Sequence, residues 1–455
     1  MVALEGAQAG FRRGGEGMNA VVIGPQSAAR ALPSFAARWY VLIMMVLVYT
    51  MSIADRYSIS TVQESIRLEL KLTDAGIARL AGVTLAIFYV VMGFPISWLI
   101  DRGNRRNIIA ISVALWSAMT IFTGRAANYL ELFLSRIGVG VGEAGGTPGA
   151  NSLLSDYFPV ARRPMALTIF GLGAPIGAWL AASVTGAIAD RYGWRTAFLA
   201  LGIPGGVLAL TIWLTVREPR RGQFDAGESV QSASFMESMR FLWQQRACVH
   251  LMVGSALTAL WGWGLMWWTP TFLIRAYGLT AGQAGDIIGP INLWAGMGAT
   301  IATGWLLGSR FMMHPRRIVW LMGGIIGLVT IPSIIIFWTH SLSLVKALFW
   351  IFIPSIYFYI GPCFGIINNL AQPRMRAMFC AMTLFLANVG NLIVAPQMVG
   401  MLSDWFAPNH VANADSLRAA LLVLAPSGFW AAFHYFWCAR DLVANQERAT
   451  GVKVR

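Results

Sequence analysis

Four ionisable side chains lie inside long apolar stretches, where they are the residues best suited to chemistry. Asp55 and Arg56 are the only charges within residues 39–60, and Arg136 and Glu143 interrupt a second apolar stretch. A charged group inside a bilayer costs about 2.5 to 3.5 kcal/mol, so such groups usually face a partner or a water-filled path. Carboxylates in that setting can exchange protons, and guanidinium groups can bind anions. The pattern indicates transport across a membrane.

The spacing of these charges predicts that they meet. Counted from the outer ends of their spans, Asp55, Arg56 and Arg136 each lie about 8 to 9 Å deep at 1.5 Å per residue. Glu143 follows Arg136 by two helical turns on the same face, which places it about 10 Å deeper, near the membrane centre. We expect Asp55 and Glu143 to exchange protons while Arg136 tunes them, because burial favours a protonated carboxyl and a guanidinium favours an ionised one. The alternative is a static ion network that only fixes helix packing.

Composition defines the class of protein. The 455 residues are 57% hydrophobic and only 12% charged, with a mean hydropathy of +0.61, whereas soluble domains are about 25% charged. The net charge of +14 therefore reflects membrane orientation, and we expect no nucleic-acid partner. The four cysteines have neither disulfide nor metal spacing, so we expect no metal and no cofactor.

Apolar runs between polar segments predict twelve membrane spans. Helices satisfy their own backbone hydrogen bonds in lipid, so the fold class is an all-α membrane protein. The predicted spans cover residues 39–61, 77–100, 107–124, 130–153, 165–187, 196–216, 247–270, 285–307, 318–338, 344–366, 377–401 and 417–438.

The excess of Lys and Arg in alternate loops predicts that both termini are cytoplasmic, in the inner (plasma) membrane. The longest polar interruption divides the spans six and six. We predict five regions: a disordered tail (1–37), an N-terminal bundle (38–216), a linker (217–245), a C-terminal bundle (246–438) and a C-terminal tail (439–455).

The two halves repeat each other in sequence. Residues 97–102, Ser-Trp-Leu-Ile-Asp-Arg, resemble residues 304–310, Gly-Trp-Leu-Leu-Gly-Ser-Arg. Residues 186–190, Gly-Ala-Ile-Ala-Asp, resemble residues 400–404, Gly-Met-Leu-Ser-Asp. Duplicated halves predict two pseudo-symmetric six-helix bundles around a site at the membrane midplane.

These residues resemble a known family. The loop after span two is similar to the signature loop of the major facilitator superfamily (MFS). Asp55-Arg56, the Ser-Arg-Ile-Gly run of residues 135–144 and the segment 152–159 resemble its Spinster-like branch, with the organic-anion symporters second. The resemblance implies alternating access by rocking of the halves, driven by a proton gradient. Ser97 and Gly308 depart from the signature, so a salt-bridge lock is expected in one half only.

The resemblance also implies a gate in the short loop after span two. Its candidate residues are Asp101, Arg102, Arg105 and Arg106. We expect Asp101 to pair with arginines or with a helix N-terminus near Arg162 and Arg163. Anchoring by positive charge is the plainer interpretation of the same arginines.

A charged N-terminal half facing an aromatic and amide C-terminal half suits an amphiphilic anion. Packing or an interfacial belt is the alternative interpretation of the aromatic residues. The candidate substrate-binding residues are Arg56, Arg136, Trp267, Asn292, Tyr357 and Asn388.

Three classes of function compete. The first is a monomeric secondary transporter of an organic, anionic or amphiphilic solute, either an exporter of lysolipid-like amphiphiles or a carboxylate–proton symporter for nutrient uptake. A membrane enzyme is disfavoured, because the five histidines are scattered without a catalytic motif. A channel or non-transporting receptor would need no titrating carboxylates. No nucleotide-binding loop is present in the sequence, which disfavours ATP as the energy source.

Overall fold

The computed structural model describes residues 34–224, 233–307, 309, 314–408 and 411–450. Residues 1–33 of the predicted N-terminal tail lie outside this range, as does Gly308, one of the two departures from the loop signature. All regular structure within the described residues is helical. The prediction of an all-α membrane protein is therefore confirmed.

Twelve long helical segments follow one another in the described part of the chain, and the first six form one bundle. Helices α1 to α6 cover Phe35–Glu69, Asp74–Arg102, Arg105–Thr123, Tyr129–Glu143 with Gly146–Tyr157, Val160–Tyr192, and Trp194–Thr215. A short linker helix, Phe235–Gln244, precedes the second bundle.

The second bundle repeats this arrangement. Helices α7 to α12 cover Arg246–Tyr277, Ala281–Pro290 with Ile291–Gly296 and Met297–Leu307, Pro315–Trp338, Leu342–Leu370, Arg376–Asn388 with Val389–Val394 and Ala395–Phe406, and Ala414–Leu424 with Ser427–Thr450. Ten of the described helices are long and apolar enough to cross a membrane. The other two spans, α4 and α8, are interrupted or polar near one end.

Several helices extend beyond the apolar runs that predicted them. Helix α1 continues past residue 61 to Glu69, and its final turns carry polar side chains that pack between the bundles. Helix α12 continues past residue 438 to Thr450, and Asn445 accepts a hydrogen bond from the amide of Ala247 at 2.9 Å. The first turns of the predicted C-terminal tail are thus part of the second bundle.

Two directions are needed to describe the molecule. We call the side where α6 ends and α7 begins the linker side, and the opposite side the far side. The bundles meet along α1 and α7, along α2 and α11, and along α5 and α8. Both halves therefore contribute corresponding helices to the interface.

Helices α2, α5, α8 and α11, which form two of these three contacts, share an internal irregularity. Each contains one π-helical turn, in which the backbone is locally widened. The turns are Arg79–Val83 in α2, Leu180–Val184 in α5, Ile291–Gly296 in α8 and Val389–Val394 in α11. Such turns are common at functional sites and kinks.

The turn between α7 and α8 explains how the chain reverses on the far side. Gly278 ends α7 at φ +65°, a left-handed conformation that favours glycine. Thr280 then caps α8: its hydroxyl accepts from the amide of Gln283, whose side chain accepts from the amide of Thr280. The start of α8 is fixed next to α5.

Candidate functional site

Glu143 is held by Arg56 across the contact between α4 and α1. The guanidinium donates to Oε2 of Glu143 from Nε at 3.0 Å and from Nη2 at 2.5 Å. The side chain of Glu143 is fully buried, and that of Arg56 is 11% exposed. Arg56 also lies over the ring of Tyr89, 5.0 Å from its centroid. Within the described residues Oε1 of Glu143 has no hydrogen-bond partner, so one carboxylate oxygen is available to a proton.

Asp55 and Arg136 form a second, unbonded part of the same cluster. Each is about 1% exposed. Neither oxygen of Asp55, and neither Nε nor Nη2 of Arg136, has a hydrogen-bond partner among the residues described. Arg136 lies within electrostatic range of both Asp55 and Glu143. Buried polar atoms without partners are costly, so this arrangement is sensitive to the gain or loss of a proton.

The structure brings the four predicted charges together but pairs them differently from the prediction. Arg56, and not Arg136, is the hydrogen-bond partner of Glu143. Asp55 and Arg56 are consecutive residues on one helix and so point about 100° apart. Arg56 reaches Glu143, whereas Asp55 faces Arg136 and Thr120. Because α1 extends to Glu69, Asp55 and Arg56 also lie deeper than the predicted 8 to 9 Å when measured from the helix end.

Glycine residues explain why α4 approaches its neighbours closely enough to bury this cluster. A Cβ atom at Gly140 would lie 2.5 Å from the carbonyl oxygen of Leu85 in α2. One at Gly142 would lie 2.7 Å from the amide nitrogen of Trp116 in α3. Side chains do not fit at either position, which keeps Glu143 in the centre of the first bundle.

An aromatic chain crosses from the charged half to the second bundle. The ring of Tyr57, next to Arg56, lies 5.2 Å from Trp263 and 5.6 Å from Trp267, measured between ring centroids. Trp263 in turn lies edge-on to Tyr357 at 5.3 Å. Offset and edge-to-face geometries of this kind are favourable for aromatic pairs. This row of rings begins near the charged cluster at Tyr57 and extends into the second bundle.

Two amide side chains hydrogen-bond the ends of this aromatic chain. The hydroxyl of Tyr357 donates to Asn292 Oδ1 at 2.8 Å, and Asn391 Nδ2 donates to the hydroxyl of Tyr57 at 3.2 Å. Of the predicted substrate-binding residues, Trp267, Asn292 and Tyr357 lie in this assembly. Asn388 is half-buried on α11, one turn before Asn391, and no hydrogen bond joins it to the assembly within the described residues.

Tyr57 is the contact residue that sequence reasoning missed. Its position immediately after Asp55-Arg56 was the available signal. A cavity of about 20 Å³ lies between Tyr57, Trp263 and Asn292, which is room for about one water molecule. The space between these three side chains is therefore too small for an organic solute in this conformation.

Polar contacts between the bundles continue from the centre to the far side. Gln63 Nε2 donates to Thr271 Oγ1 at 2.6 Å. Beyond it, the guanidinium of Arg275 binds Glu64 through Nε at 2.9 Å and Asp74 through Nη1 at 2.7 Å. These side chains are at most 10% exposed. Polar ends of helices from both bundles therefore close the far side.

Comparison with known proteins assigns the family. The model of the Major Facilitator Superfamily matches residues 45–395. The chain belongs to the major facilitator superfamily. Its relatives and its family are transporters and not enzymes, so the prediction of a multi-pass membrane transporter is confirmed.

Relatives of this chain within the superfamily include a member of the predicted branch. A bacterial homolog of the human lysosomal transporter Spinster, solved in an inward-facing and unoccupied conformation, is 29% identical, with a TM-score of 0.79 over 90% of this chain and 99% of that chain. An MFS-type efflux pump of Mycolicibacterium smegmatis is 29% identical over 89% of this chain and 94% of its own length. A probable L-galactonate transporter of Escherichia coli is 24% identical over 87% of each chain.

The signature loop of the superfamily lies between α2 and α3 on the linker side. Arg105 is 1% exposed and forms ion pairs with Asp156 of α4 and with Glu218, the latter at 2.7 Å. The amide of Arg106 donates to Glu218 Oε2 at 2.9 Å. These contacts anchor the loop to its own bundle and to the start of the linker.

The other candidate gate residues are placed differently. Asp101 is exposed and makes no hydrogen bond or ion pair within the described part of the chain, so it does not pair near Arg162 and Arg163 in this conformation. Arg102 lies over the ring of Trp98 at 4.6 Å from its centroid. Asp156 and Glu218, which the gate prediction omitted, are the acids that hold the loop.

Proposed function

We propose that this transporter moves an organic, anionic and amphiphilic solute by alternating access and couples that movement to protons through Asp55 and Glu143. The observation that carries the proposal is Asp55, a carboxylate buried in the first bundle with neither oxygen hydrogen-bonded within the described residues. Intramembrane acids of this kind commonly belong to proton relays in transporters.

The charges of the centre support exchange between proton and substrate. Two carboxylates and two arginines share the site, and Glu143 already occupies Arg56. An anionic substrate that binds Arg56 competes with Glu143 for it. The displaced carboxylate is then favoured in its protonated form, because it is buried without a cation beside it. Substrate and proton therefore load together in this scheme.

The aromatic chain supports an apolar portion in the substrate. Tyr57 lies near Arg56 and contacts Trp263 and Trp267, so an anionic head at the guanidinium would place the rest of the molecule toward these rings. Asn292 and Asn391 give this row of rings hydrogen-bonding groups as well. Those amides favour the second candidate, a carboxylate–proton symporter for polar acids, as the name of the L-galactonate relative also suggests.

The contacts between the bundles support a conformation closed on the far side. Arg275 joins α7 to Glu64 and Asp74 of the first bundle, and the cavity between Tyr57, Trp263 and Asn292 is only about 20 Å³. The excess of positive charge on the linker side supports a cytoplasmic location for that side, with both termini in the cytoplasm and the protein in the inner membrane. With that orientation, the far-side contacts favour a conformation closed to the outside.

The first experiment identifies the class of ligand. Thermal unfolding of the purified protein is measured with L-galactonate and with lysophosphatidate, because a ligand that prefers the folded state raises the melting temperature. The proposal predicts a larger rise with the lysolipid. A rise only with the sugar acid supports the symporter for polar acids instead.

The second experiment tests proton coupling with the probe that binds. Proteoliposomes are assayed for counterflow without a pH gradient and for accumulation with one. Asp55→Asn and Glu143→Gln should retain counterflow and lose accumulation, whereas Asp286→Asn, which changes an exposed acid of α8, should retain both. Undiminished accumulation in the Asp55 and Glu143 variants contradicts the proposal, and flux without counterflow indicates a channel.

A further inference from the structure

The sequence repeat Gly-x-x-x-Asp at residues 186–190 and 400–404 has no role in the site described above. Both copies end helices that line the interface between the bundles, α5 and α11. Both end on the far side, opposite the signature loop. In each copy the aspartate contacts the first turn of a helix in the other bundle.

Asp404 of the second bundle caps α2 of the first. Its Oδ1 accepts from the amide of Asp74 at 2.9 Å, and its Oδ2 accepts from the amide of Ala75 at 2.8 Å. Gly400, one turn earlier, permits this approach: a Cβ there would lie 2.7 Å from the carbonyl oxygen of Asp74. The neighbouring Ser403 donates to Asp74 Oδ2 at 2.7 Å.

Asp190 of the first bundle caps α8 of the second in the corresponding way. Its Oδ2 accepts from the amide of Gly282 at 3.0 Å and from the hydroxyl of Thr280. Gly186 permits the approach, since a Cβ there would lie 2.5 Å from the carbonyl oxygen of Ala281. The two contacts are related by the pseudo-symmetry of the halves and share no residue.

We infer that Asp190 and Asp404 are gating residues, a matched pair of latches that hold the far side closed and must both release before it opens. The inference rests on the proposed alternating access. A carboxylate bound to the amides of a helix N-terminus is stabilised by charge-assisted hydrogen bonds and by the helix dipole. Here the acid and the helix belong to different bundles, so that stabilisation exists only while the bundles are in contact on the far side.

The irregular turns of the same helices supply the places where the latched ends can move. In α5 and α11 the π-helical turn lies between the central site and the latch aspartate, and in α2 and α8 it follows the capped first turns. Bending at these turns would separate each aspartate from its partner helix without unfolding either bundle. Asn292 and Asn391 lie within two of the turns, which connects the latches to the aromatic centre.

The test measures the population of far-open molecules directly. Spin labels are placed at two pairs of exposed positions, Arg191 with Ser341 on the far side and Asn104 with Arg440 on the linker side. Pulsed electron paramagnetic resonance then gives both distance distributions for Asp190→Ala, Asp404→Ala and the double variant. The matched control is Asp415→Ala, an exposed far-side acid in the first turn of α12 that lies within one bundle.

Each single alanine variant should raise the ratio of far-open to far-closed molecules about tenfold, because a hydrogen bond to a charged group contributes about 1.5 to 3 kcal/mol. The double variant should raise it about a hundredfold, since the latches are independent. Far-side distances lengthen while linker-side distances shorten, an opposed change that simple loosening of the fold does not produce. Asn substitutions, which keep an acceptor oxygen without the charge, should give smaller shifts and preserve folding.

Unchanged distributions in the double alanine and double asparagine variants, matching Asp415→Ala, overturn the latch. This readout requires neither substrate nor a proton gradient. The latch hypothesis can therefore be refuted separately from the proposed proton coupling, which is tested by the accumulation assay with Asp55→Asn. If accumulation depends on Asp55 while the latch variants leave both distances unchanged, proton coupling stands and the latch is wrong.

Discussion

Arg275 is the single side chain whose removal should most weaken closure of the far side. Its guanidinium donates to Glu64 at 2.9 and 2.5 Å and to Asp74 at 2.7 Å twice. The three side chains are 7%, 10% and 0% exposed. If Arg275 is removed, Arg67 still forms an ion pair with Glu64, with 2.8 Å between Nη2 and Oε1. Its distance to Asp74, between Nε and Oδ1, is longer, at 3.6 Å. The loss falls mainly on the contact between the bundles.

The expected magnitude follows from these contacts. Breaking a buried ion pair by removing one partner costs about 3 to 5 kcal/mol. Because Arg67 partly compensates both acids, we take the lower end, about 3 kcal/mol, for Arg275→Ala. That free energy corresponds to a change of about 150-fold in the ratio of far-open to far-closed molecules.

Alkylation of a buried cysteine measures that ratio. Thr271→Cys serves as the reporter, because Thr271 is 1% exposed and bonds Gln63 across the interface; the four native cysteines are replaced by alanine. When opening is fast, the alkylation rate is proportional to the open population, so Arg275→Ala should label about 150-fold faster. Arg125→Ala, at an exposed far-side arginine, should label at the parental rate. Acceleration of less than threefold refutes the ion network as a closure element.

Three further changes test other parts of the molecule. Gly140→Ala should lower the melting temperature, because its Cβ would lie 2.5 Å from a backbone oxygen and overpacking costs about 1 to 3 kcal/mol; an unchanged melting curve contradicts the close helix contact. Arg105→Ala should lower the free energy of unfolding by about 3 to 5 kcal/mol and speed proteolysis of the linker. Arg102→Ala, at a nearby exposed arginine, should change neither the stability nor the rate of proteolysis. Trp263→Leu should reduce the ligand-induced rise in melting temperature with lysophosphatidate more than with L-galactonate, and an equal loss for both argues against an apolar subsite.

The sequence predicts the twelve spans well because membrane helices are marked by long apolar runs. It predicts their ends poorly where a helix continues with polar residues. Gln63, Glu64 and Arg67 read as the start of a loop, yet they extend α1 and face the second bundle. The far-side network was therefore absent from the prediction, although Glu64, Asp74 and Arg275 were visible as charges near span ends.

The central charges show a second limit. Their types and depths follow from the sequence, since ionisable residues in apolar helices have few alternatives to a shared interior site. The pairing of these charges does not follow from the sequence, because it depends on how α1 and α4 are oriented about their helix axes. Arg56 reaches Glu143 while Arg136 remains unbonded at Nε and Nη2 within the described residues. Only three-dimensional packing distinguishes that arrangement from the reverse.

Proton movement accompanying substrate entry tests the central claim most directly. Proteoliposomes containing a pH-sensitive dye are given the probe that raises the melting temperature, with no pH gradient imposed at the start. The account predicts a change in internal pH that follows substrate flux in the parental protein and in Asp286→Asn. It predicts flux without that change in Asp55→Asn and Glu143→Gln. Substrate entry with no pH change in the parental protein, or an equal pH change in the Asp55 and Glu143 variants, would contradict it.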